Sequence, residues 1–247
     1  MKEFYEFTEE LPSNAVGVNS KITLQKTTEL LQQLANDNAE RSGYGFEGLL
    51  KRANAYWVIS KMRIIFQKTP YHRQKIVCKT WPITPNKITL ERDFEIKDIT
   101  GELLVSATSE WCMIDADTRR VCRIHGDAVM PGIDYIEERA TTGEYTKQKF
   151  DVEDKDFCFE RVIRSSDIDM NDHANNTKYA IMVTDCFTTD FLKEHDFASF
   201  EIHFLKECFE GQTLSVFRKQ LSDNLYYVNA LNADKQSVFR AYLEFKQ

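Results

Sequence analysis

Residues 156–194 read DFCFERVIRSSDIDMNDHANNTKYAIMVTDCFTTDFLKE and predict a strand followed by a long helix. The strand is expected at about 156–164 and the helix at about 176–194, where apolar side chains recur at helical spacing. That stripe consists of Tyr179, Met182, Val183, Cys186, Phe187 and Phe191. Four strand candidates follow, at 198–209, 212–221, 224–232 and 236–246. Because one amphipathic helix can cover the apolar face of an antiparallel sheet, this half predicts a helix packed on a sheet.

The first half of the chain repeats this order of elements. A helix is expected at 20–35, and strand-like stretches follow at 56–66, 75–83, 88–96 and 103–114. Between the halves, residues 132–153 are charged and low in apolar periodicity, which is typical of a linker. The sequence therefore predicts an α+β protein of two similar domains, 1–131 and 154–247, joined by the linker 132–153.

A short sequence echo supports the repeat. Asn19-Ser20-Lys21-Ile22 opens the first predicted helix and Asn176-Thr177-Lys178-Tyr179 opens the second, an offset of 157 residues. At this offset, three candidate catalytic residues of the second half align with three residues of the first half. None of those three first-half residues is a histidine or carries a carboxylate. The pairs are Asp169 with Pro12, Asn171 with Asn14, and His173 with Val16. One active site per chain, in the second half, is therefore expected.

The composition of the 247-residue chain is that of an ordinary globular protein, with 42% hydrophobic and 29% charged residues. Its net charge of −7 argues against nucleic-acid binding driven by overall charge. No apolar run approaches the ~20 residues of a membrane span. Six cysteines without a CxxC pair indicate reduced, mostly packed thiols rather than a zinc site. The acidic N-terminal residues lack a signal-peptide pattern, so a cytoplasmic protein is expected. No metal ion or cofactor is expected.

The densest run of chemically active side chains lies at 164–176, between the strand and the helix of the second half. Asp167, Asp169 and Asn171 have the spacing of the first three ligands of a calcium loop. Such a loop needs Gly at its sixth position and Glu at its twelfth, where this chain has Asp172 and Lys178. Calcium binding is therefore rejected.

A hydrolytic site is the second interpretation of this run, because free N–H groups at a helix N-terminus can hold a developing oxyanion. His173 would then carry a proton, with carboxylates alongside it. Helix capping is the competing interpretation, and it is favoured for Asp167, Asn175 and Asn176 because Asp and Asn are common helix caps. For His173 a functional role is favoured, since a cap is not a natural task for histidine.

One stretch of the second half resembles a known protein family. Residues 166–179, SDIDMNDHANNTKY, resemble the signature of the acyl-acyl-carrier-protein thioesterases, which include plant plastid enzymes and bacterial relatives. Further segments resemble the family in the same order: Trp57–Met62, Thr80-Trp81, Ala107–Met113, Asp117–Val121 and Ile202–Cys208. The resemblance implies a double hotdog fold, two fused units in which a long helix packs on a curved antiparallel sheet. It also implies hydrolysis of fatty acyl thioesters, in a bacterial cytoplasmic enzyme.

The resemblance implies site roles for five residues: Asp169, Asn171, His173, Glu207 and Cys208. The chain departs from the family pattern after Glu-Cys, where the usual Gly is Phe209, and after the histidine, where Ala174 replaces a more usual Val. The first change affects the local strand geometry, and the second is minor.

Two mechanisms fit these residues. In one, Glu207 or Asp169 activates a water while His173 serves the leaving group; in the other, Cys208 is the nucleophile, with His173 as base and Asn171 as orienter. On a regular strand Cys208 shares the apolar phase of the preceding residues, whereas Glu207 has the opposite phase. A thiol in the core phase stays protonated, so water attack is favoured, with Asn171 binding the thioester oxygen or orienting the water.

The acyl chain is expected in an apolar slot between helix and sheet, shaped by the first half. Its candidate lining residues are Trp57, Met62, Trp81 and Trp111, although a plain core role is favoured for each of them. The expected partner is an acidic acyl carrier protein, which needs a local basic patch on a net negative enzyme. The candidate patches are Lys51-Arg52, His72-Arg73-Gln74-Lys75, and Arg119-Arg120 with Arg123. A homodimer is also considered.

Three alternative functions stay open at this point. A coenzyme A thioesterase of the same fold would differ only in the carrier of the acyl group. A hotdog dehydratase would use His and Asp or Glu on a 3-hydroxyacyl thioester. A non-catalytic acyl-binding regulator would need a further DNA-binding module.

Overall fold

A computed structural model describes residues 4–125, 129–130, 132–133 and 135–247. The first half contains β1 (Tyr5–Glu10), α1 (Leu24–Arg41), α2 (Phe46–Ala53), β2 (Ala55–Phe66), β3 (Lys75–Pro82), β4 (Thr89–Asp98) and β5 (Leu103–Asp115). The second half contains β6 (Phe157–Val162), α3 (Asn176–Thr184), α4 (Thr189–Glu194), β7 (Phe197–Phe204), β8 (Thr213–Gln220), β9 (Leu225–Leu231) and β10 (Ser237–Phe245). The predicted order of strand, helix and four strands therefore occurs twice.

The chain divides into two compact units, which do not follow the sequence in a simple way. The first unit comprises Met1–Leu11, Glu29–Lys68 and Arg73–Gly143, and the second comprises Pro12–Thr28, Thr69–His72 and Glu144–Gln247. An early segment of the chain thus belongs to the second unit. The predicted domain division remains a prediction, and its boundary at residue 131 and linker residue 134 lie outside the described residues.

The first unit has an antiparallel sheet with the strand order β1-β3-β4-β5-β2. Alternate residues of β4 are buried, as expected for a strand with one covered face. Arg92 on this face reaches α1, where its Nη1 donates to Asn38 Oδ1 at 2.7 Å. The C-terminal part of α1 therefore lies against this sheet.

The second unit repeats the strand order from its outer strand inward, β6-β8-β9-β10-β7. Helix α3 packs on this sheet through Tyr179, whose ring centroid lies 6.0 Å from that of Phe204 and 5.0 Å from that of Phe239. The ring centroid of Phe187, just after α3, lies 5.1 Å from that of Phe245. These aromatic contacts bury the apolar stripe that the sequence predicts.

Two helix predictions need correction. The helix predicted at 20–35 is α1, which starts later because Thr23 caps it: Thr23 Oγ1 accepts from the Lys26 N–H at 3.0 Å. Helix α1 also extends beyond the predicted end, to Arg41. Residues 36–41 are mostly polar, so apolar periodicity does not mark them as helical. The helix predicted at 176–194 is interrupted, and Thr188 caps the second piece, α4, by accepting from the Phe191 N–H.

The segment predicted as a linker is packed in its first part against the first unit's sheet. Asp93 is fully buried, and its carboxylate accepts from Arg139 Nε at 3.0 Å and from the Ala140 N–H at 2.7 Å. Trp81 Nε1 donates to the Glu138 carbonyl at 2.9 Å. Its charged composition therefore reflects specific bonding as well as solvent exposure.

Replacing Arg139 by alanine is expected to lower the free energy of unfolding by about 2 kcal/mol, because hydrogen bonds to a buried charge are worth roughly 1.5–3 kcal/mol. Chemical denaturation of the wild type and the variant measures the loss. Lys147→Ala is the matched control, because Lys147 and its partner Glu144 have side chains more than 80% exposed. Equal stability of Arg139→Ala and Lys147→Ala would contradict the structural role given to the Asp93 carboxylate.

Candidate active site

The loop before α3 is fixed at both ends by side chains. Asp167 is buried, and its carboxylate accepts from Arg161 Nη2 at 2.9 Å and from the Arg164 N–H at 3.0 Å. Asn175 Oδ1 accepts from the Thr177 N–H at 2.9 Å and so caps α3. The capping interpretation is therefore confirmed for Asn175, and Asp167 closes the short turn at 165–167 through the Arg164 N–H. It is wrong for Asn176, which is the first residue of α3 rather than its cap.

A tight turn between these fixed ends presents His173. The Asp169 N–H donates to the His173 carbonyl at 2.9 Å, and the Asp172 N–H donates to the Asp169 carbonyl at 3.1 Å. Asp169 Oδ1 accepts from the Asn171 N–H at 2.9 Å. Asp172 adopts the left-handed conformation, with φ of 61°, which Asp tolerates better than most residues. Asp169 therefore acts first on the backbone that positions His173.

Glu207 lies beside His173, in the segment that follows the C-terminal end of β7. His173 Nε2 lies 3.0 Å from Glu207 Oε2. The Ala174 N–H donates to the Cys208 carbonyl at 2.8 Å, which ties the loop to the segment that carries Glu207. The side chain of Glu207 is 41% exposed and that of His173 is 16% exposed, so the pair is accessible to water from one side.

The strand predicted at 198–209 is shorter than expected, because β7 ends at Phe204. The N–H groups of Leu205 and Lys206 both donate to the Val238 carbonyl, at 2.8 and 3.1 Å, which breaks the regular ladder. The strand-phase argument therefore applies only to β7 itself. Glu207 and Cys208 nevertheless point in different directions, one to His173 and the other into the core.

Cys208 is almost fully buried, with 1% of its surface exposed. Burial raises the pKa of its thiol, and a hydrogen bond from the Tyr179 hydroxyl opposes this only in part. Tyr179 is itself buried, which raises the pKa of its hydroxyl. The nearby Glu207 and Asp169 carboxylates act in the same direction on Tyr179. At neutral pH Cys208 is therefore a thiol rather than a nucleophilic thiolate.

Phe209 covers one side of the histidine, a contact that the sequence did not predict. The Phe209 and His173 ring centroids lie 4.9 Å apart, at an interplanar angle of 49°. Phe209 and Leu205 are partly exposed, and Met170 in the loop before α3 is 85% exposed. The residue that replaces the family's usual glycine thus adds apolar surface beside the imidazole.

The first half of the chain contains a second copy of this loop, and its register corrects the expected one. The bridge between Val16 and Ile22 matches that between Ile168 and Ala174, and the positive φ of Ser20 (60°) matches that of Asp172. The offset is therefore 152 residues instead of 157. Gly17, Asn19 and Lys21, rather than Pro12, Asn14 and Val16, correspond to Asp169, Asn171 and His173. This copy still lacks His and carboxylate.

The counterpart of His173 serves a structural purpose. The Lys21 ammonium forms an ion pair with the Asp196 carboxylate, and Asn19 Nδ2 donates to the Leu192 carbonyl at 3.2 Å. The first loop copy therefore holds the end of α4 within the second unit.

The backbone at the start of α3 is largely occupied, which corrects the expectation of free N–H groups there. The Thr177 N–H bonds the Asn175 side chain, and the Lys178 N–H donates to the Asn175 carbonyl at 2.9 Å. The Asn171 side chain is exposed, and its amide has no hydrogen-bond partner among the residues that the structure describes. Asn171 stands two residues before His173 in the same loop.

The four candidate lining residues lie in the first unit. Met62 and Trp81 are buried, whereas Trp57 and Trp111 are half-buried and pack against one apolar cluster around Tyr44 and Leu90. Trp57 Nε1 donates to the Tyr44 carbonyl at 3.0 Å, and Trp81 packs on Ile83 and Ile136. All four have packing roles, and contact with an acyl chain remains a prediction.

Within the described ranges, no three His, Cys, Asp or Glu side chains come together in a group that could hold a metal ion. No helix in the same part of the chain combines the length and the apolar character needed to cross a membrane.

Fold and site together define a class: proteins of two hotdog units in which the second carries a histidine–carboxylate pair. Family models identify the particular group. The acyl-ACP thioesterase N-terminal domain matches residues 2–131 and the C-terminal domain matches residues 151–244, so the chain belongs to the acyl-ACP thioesterase family.

Curated relatives are similar to this chain over part of their length. Oleoyl-acyl carrier protein thioesterase 2 of Arabidopsis thaliana, a chloroplastic protein, is 26% identical over 79% of this chain and 57% of its own length. The oleoyl-acyl carrier protein thioesterase of Coriandrum sativum is 26% identical over 78% of this chain and 56% of its own length. The chain thus spans somewhat more than half the length of these relatives.

Solved structures confirm the double hotdog fold. An acyl-ACP thioesterase from Bacteroides thetaiotaomicron superimposes with a TM-score of 0.89 at 24% identity, covering 99% of this chain and 98% of that chain. The 12:0-ACP thioesterase from Umbellularia californica superimposes with a TM-score of 0.89 at 21% identity, covering 100% of this chain and 98% of that chain.

Proposed function

We propose that this protein hydrolyses fatty acyl thioesters of acyl carrier protein and releases free fatty acid. The observation that carries the proposal is the 3.0 Å contact between His173 Nε2 and Glu207 Oε2, which joins the loop before α3 to the segment after β7 within the matched C-terminal domain. A histidine and a carboxylate within hydrogen-bond distance can move a proton between an attacking water and a leaving group.

The proposed reaction begins with a water held beside Glu207. The Glu207 carboxylate takes a proton from this water as the water oxygen attacks the carbonyl carbon of the thioester. The tetrahedral intermediate then collapses and the carbon–sulfur bond breaks. Glu207 passes the proton from the water to His173 across their 3.0 Å contact, and His173 passes it on to the departing sulfur, so both residues return to their starting state. A thiol has a pKa near 8.5, so the leaving group needs only modest help and activation of the water is the harder task.

The developing negative charge on the thioester oxygen needs a hydrogen-bond donor. The Asn171 amide is exposed and close in sequence to His173, which supports this role. Asp169 supports the site indirectly, because its carboxylate fixes the Asn171 backbone and its N–H fixes the His173 carbonyl. In this proposal Asp169 is a positioning residue, whereas His173, Glu207 and Asn171 touch the reacting atoms.

Cys208→Ala is expected to keep more than about a tenth of the wild-type kcat, since the proposed reaction has no covalent step at this residue. Release of free thiol from an acyl-acyl-carrier-protein measures the rate, with His173→Ala as an inactive control. Circular dichroism checks that the variant is folded, because the change removes a buried contact to Tyr179. A folded but inactive Cys208→Ala would instead support the cysteine-nucleophile mechanism.

The carrier-protein partner is supported by exposed basic residues of the first unit. Lys51, Arg120 and Arg123 are exposed, and Arg119 lies over the Tyr56 ring at 5.9 Å. Other members of the predicted patches are engaged: Arg52 donates to the Gly43 and Val129 carbonyls, and Arg73 lies 3.7 Å from Glu10. The cluster at 119–123 is therefore the better candidate for binding an acidic carrier.

Raising the ionic strength is expected to raise KM severalfold for acyl-acyl-carrier-protein and to leave KM for a small acyl thioester almost unchanged. Salt screens attraction between exposed charges over about 10 Å at 0.1 M, and the small substrate has no acidic surface to attract. Steady-state kinetics between low and moderate salt measure both values. The same salt response for both substrates would remove the basic patch from the proposal.

A coenzyme A thioesterase is the nearest alternative, because the same residues would cleave either thioester. Thiol release from one acyl group on the two carriers, repeated over several chain lengths, distinguishes them. We expect the higher kcat/KM with acyl carrier protein, and a higher value with coenzyme A would favour the alternative. An acyl slot lined by Trp57, Met62, Trp81 or Trp111, a cytoplasmic location and a homodimer remain predictions.

A further inference from the structure

Phe209 belongs to a short turn that is tied to the start of the loop before α3. The Phe209 N–H donates to Gln212 Oε1 at 3.1 Å, and the Gln212 N–H donates to the Phe209 carbonyl at 3.2 Å. The Gly211 N–H donates to the Ile163 carbonyl at 2.9 Å, and the Ile163 N–H donates to the Gln212 carbonyl at 2.8 Å. Ile163 is fully buried, so these bonds give the backbone of Phe209 a fixed place beside the loop.

The Phe209 side chain restrains the imidazole in a way that the loop backbone does not. The Asp169 N–H fixes the His173 carbonyl at 2.9 Å, but this bond leaves rotation about the two side-chain torsions of His173 open. The Phe209 and imidazole centroids lie 4.9 Å apart at an interplanar angle of 49°, within the range of attractive aromatic pairs. The Glu207 contact at 3.0 Å acts on one edge of the imidazole, whereas Phe209 covers one of its sides. The two contacts therefore restrain the ring in different directions.

The first loop copy has an aromatic residue at the matching place. The Pro70 and Cys208 carbonyls each accept, at 2.8 Å, from the N–H of the corresponding bridge residue of their own loop copy. Three residues further on, Arg73 and Gly211 share a positive φ, of 63° and 83°. Both matches give an offset of 138 residues, so the counterpart of the phenylalanine is Tyr71, which is exposed beside a loop copy without histidine.

We propose that Phe209 is a positioning residue that holds the His173 imidazole with Nε2 directed at Glu207 and so raises the rate of hydrolysis. This inference rests on the proposed function, in which His173 carries a proton from Glu207 to the leaving sulfur. Proton transfer needs both groups within hydrogen-bond reach, so any time that the imidazole spends rotated away from Glu207 is lost to the reaction. Glycine, the family's usual residue at this position, has no side chain that could give this support.

Steady-state kinetics of Phe209 variants with acyl-acyl-carrier-protein test the effect on the rate. An aromatic contact shifts a conformational equilibrium about two- to tenfold, so Phe209→Ala and Phe209→Gly should lower kcat about three- to tenfold and leave KM within about twofold of the wild type. Phe209→Tyr keeps the ring and should keep the wild-type kcat. Tyr71→Ala is the matched control and should leave both constants unchanged. Wild-type kcat in Phe209→Ala, or a raised KM at unchanged kcat, would overturn the proposal.

Nuclear magnetic resonance of the intact enzyme with isotope-labelled histidine tests the positioning without substrate. The chain has five histidines, and His173→Ala identifies the signals of His173. Phe209→Ala should shift the ring-proton signals of His173, because the ring current of the phenyl group is lost. Its side-chain couplings should average over several rotamers, whereas Phe209→Tyr should keep the wild-type couplings. Unchanged signals of the other four histidines show that the variants are folded. Wild-type couplings of His173 in Phe209→Ala would overturn the proposal.

The two measurements separate this inference from the proposed function. A wild-type enzyme that releases no thiol, together with a His173 ring that loses its order in Phe209→Ala, would contradict the proposed function and support the role of Phe209 in holding the ring. Thiol release by the wild type, with no change of rate or ring order in Phe209→Ala, would contradict the inference alone.

Discussion

His173→Ala is expected to lower kcat/KM for acyl-acyl-carrier-protein at least about 100-fold, which corresponds to about 2.7 kcal/mol of transition-state stabilisation. In the proposed reaction His173 carries the proton between Glu207 and the leaving sulfur. Its Nε2 contacts Glu207, and 16% of its side chain is exposed. Removal of the imidazole breaks the proton path, whereas the substrate contacts remain. The loss should therefore fall on kcat more than on KM.

His203→Ala is the matched control for this experiment. His203 Nε2 lies 2.7 Å from Glu201 Oε1, so the chain contains a second histidine–carboxylate pair, on β7, the strand that precedes Glu207. Glu201 also accepts from the Thr146 N–H at 2.7 Å, and the Tyr145 ring contacts His203. His203→Ala should keep the wild-type kcat/KM while losing about 1 kcal/mol of stability. A larger loss of kcat in His203→Ala than in His173→Ala would indicate that the chemistry takes place at the His203–Glu201 pair. That result would contradict the proposed site.

Glu207→Ala is expected to cause a loss of similar size, at least about 100-fold in kcat/KM, because a general base contributes 10²–10⁴-fold to such reactions. Glu207→Gln should be nearly as impaired, since the amide keeps the shape and the contact to His173 but cannot accept a proton from water. The pair of variants thus separates the basicity of the side chain from its packing. Thiol release under single-turnover conditions measures the chemical step directly.

Glu210→Ala is the control for Glu207→Ala, because Glu210 is an exposed carboxylate three residues further along the chain. It should leave kcat/KM at the wild-type value. Full activity of Glu207→Gln would show that Glu207 only orients His173. In that case the base would have to be sought in His173 itself or in Asp169.

The order of strands and helices was predictable because periodicity is a local property. On β10, Phe239, Ala241, Leu243 and Phe245 alternate with more polar residues, and the structure buries these four side chains. The interruption of the second helix was not predictable from the same signal. The apolar stripe continues through Phe187 and Phe191, and only the Thr188 cap reveals that α4 starts anew.

The register of the internal repeat illustrates a second limit. Four similar letters at 19–22 and 176–179 suggested an offset of 157, but equivalence in this loop depends on backbone conformation. Ser20 and Asp172 share a positive φ although their side chains differ. Thr23 and Asn175 both cap a helix, Thr23 by accepting from the N–H three residues further along and Asn175 from the N–H two residues further along. Conformation is retained here where residue identity is not.

Long-range contacts were beyond the reach of the sequence. The family resemblance pointed to Glu207 and His173 together, and the 3.0 Å distance supplies the physical basis for that pairing. Phe209 was recognised as a departure, but its contact with the imidazole needed coordinates.

The most direct test of water attack at the His173–Glu207 pair is a search for a covalent intermediate. Wild-type enzyme and Glu207→Ala are mixed with one equivalent of acyl-acyl-carrier-protein, quenched in acid at short times, and weighed intact by mass spectrometry. The proposed mechanism predicts free fatty acid from the wild type and no acylated enzyme at any time. An acyl adduct in either protein that maps to Cys208 would contradict it.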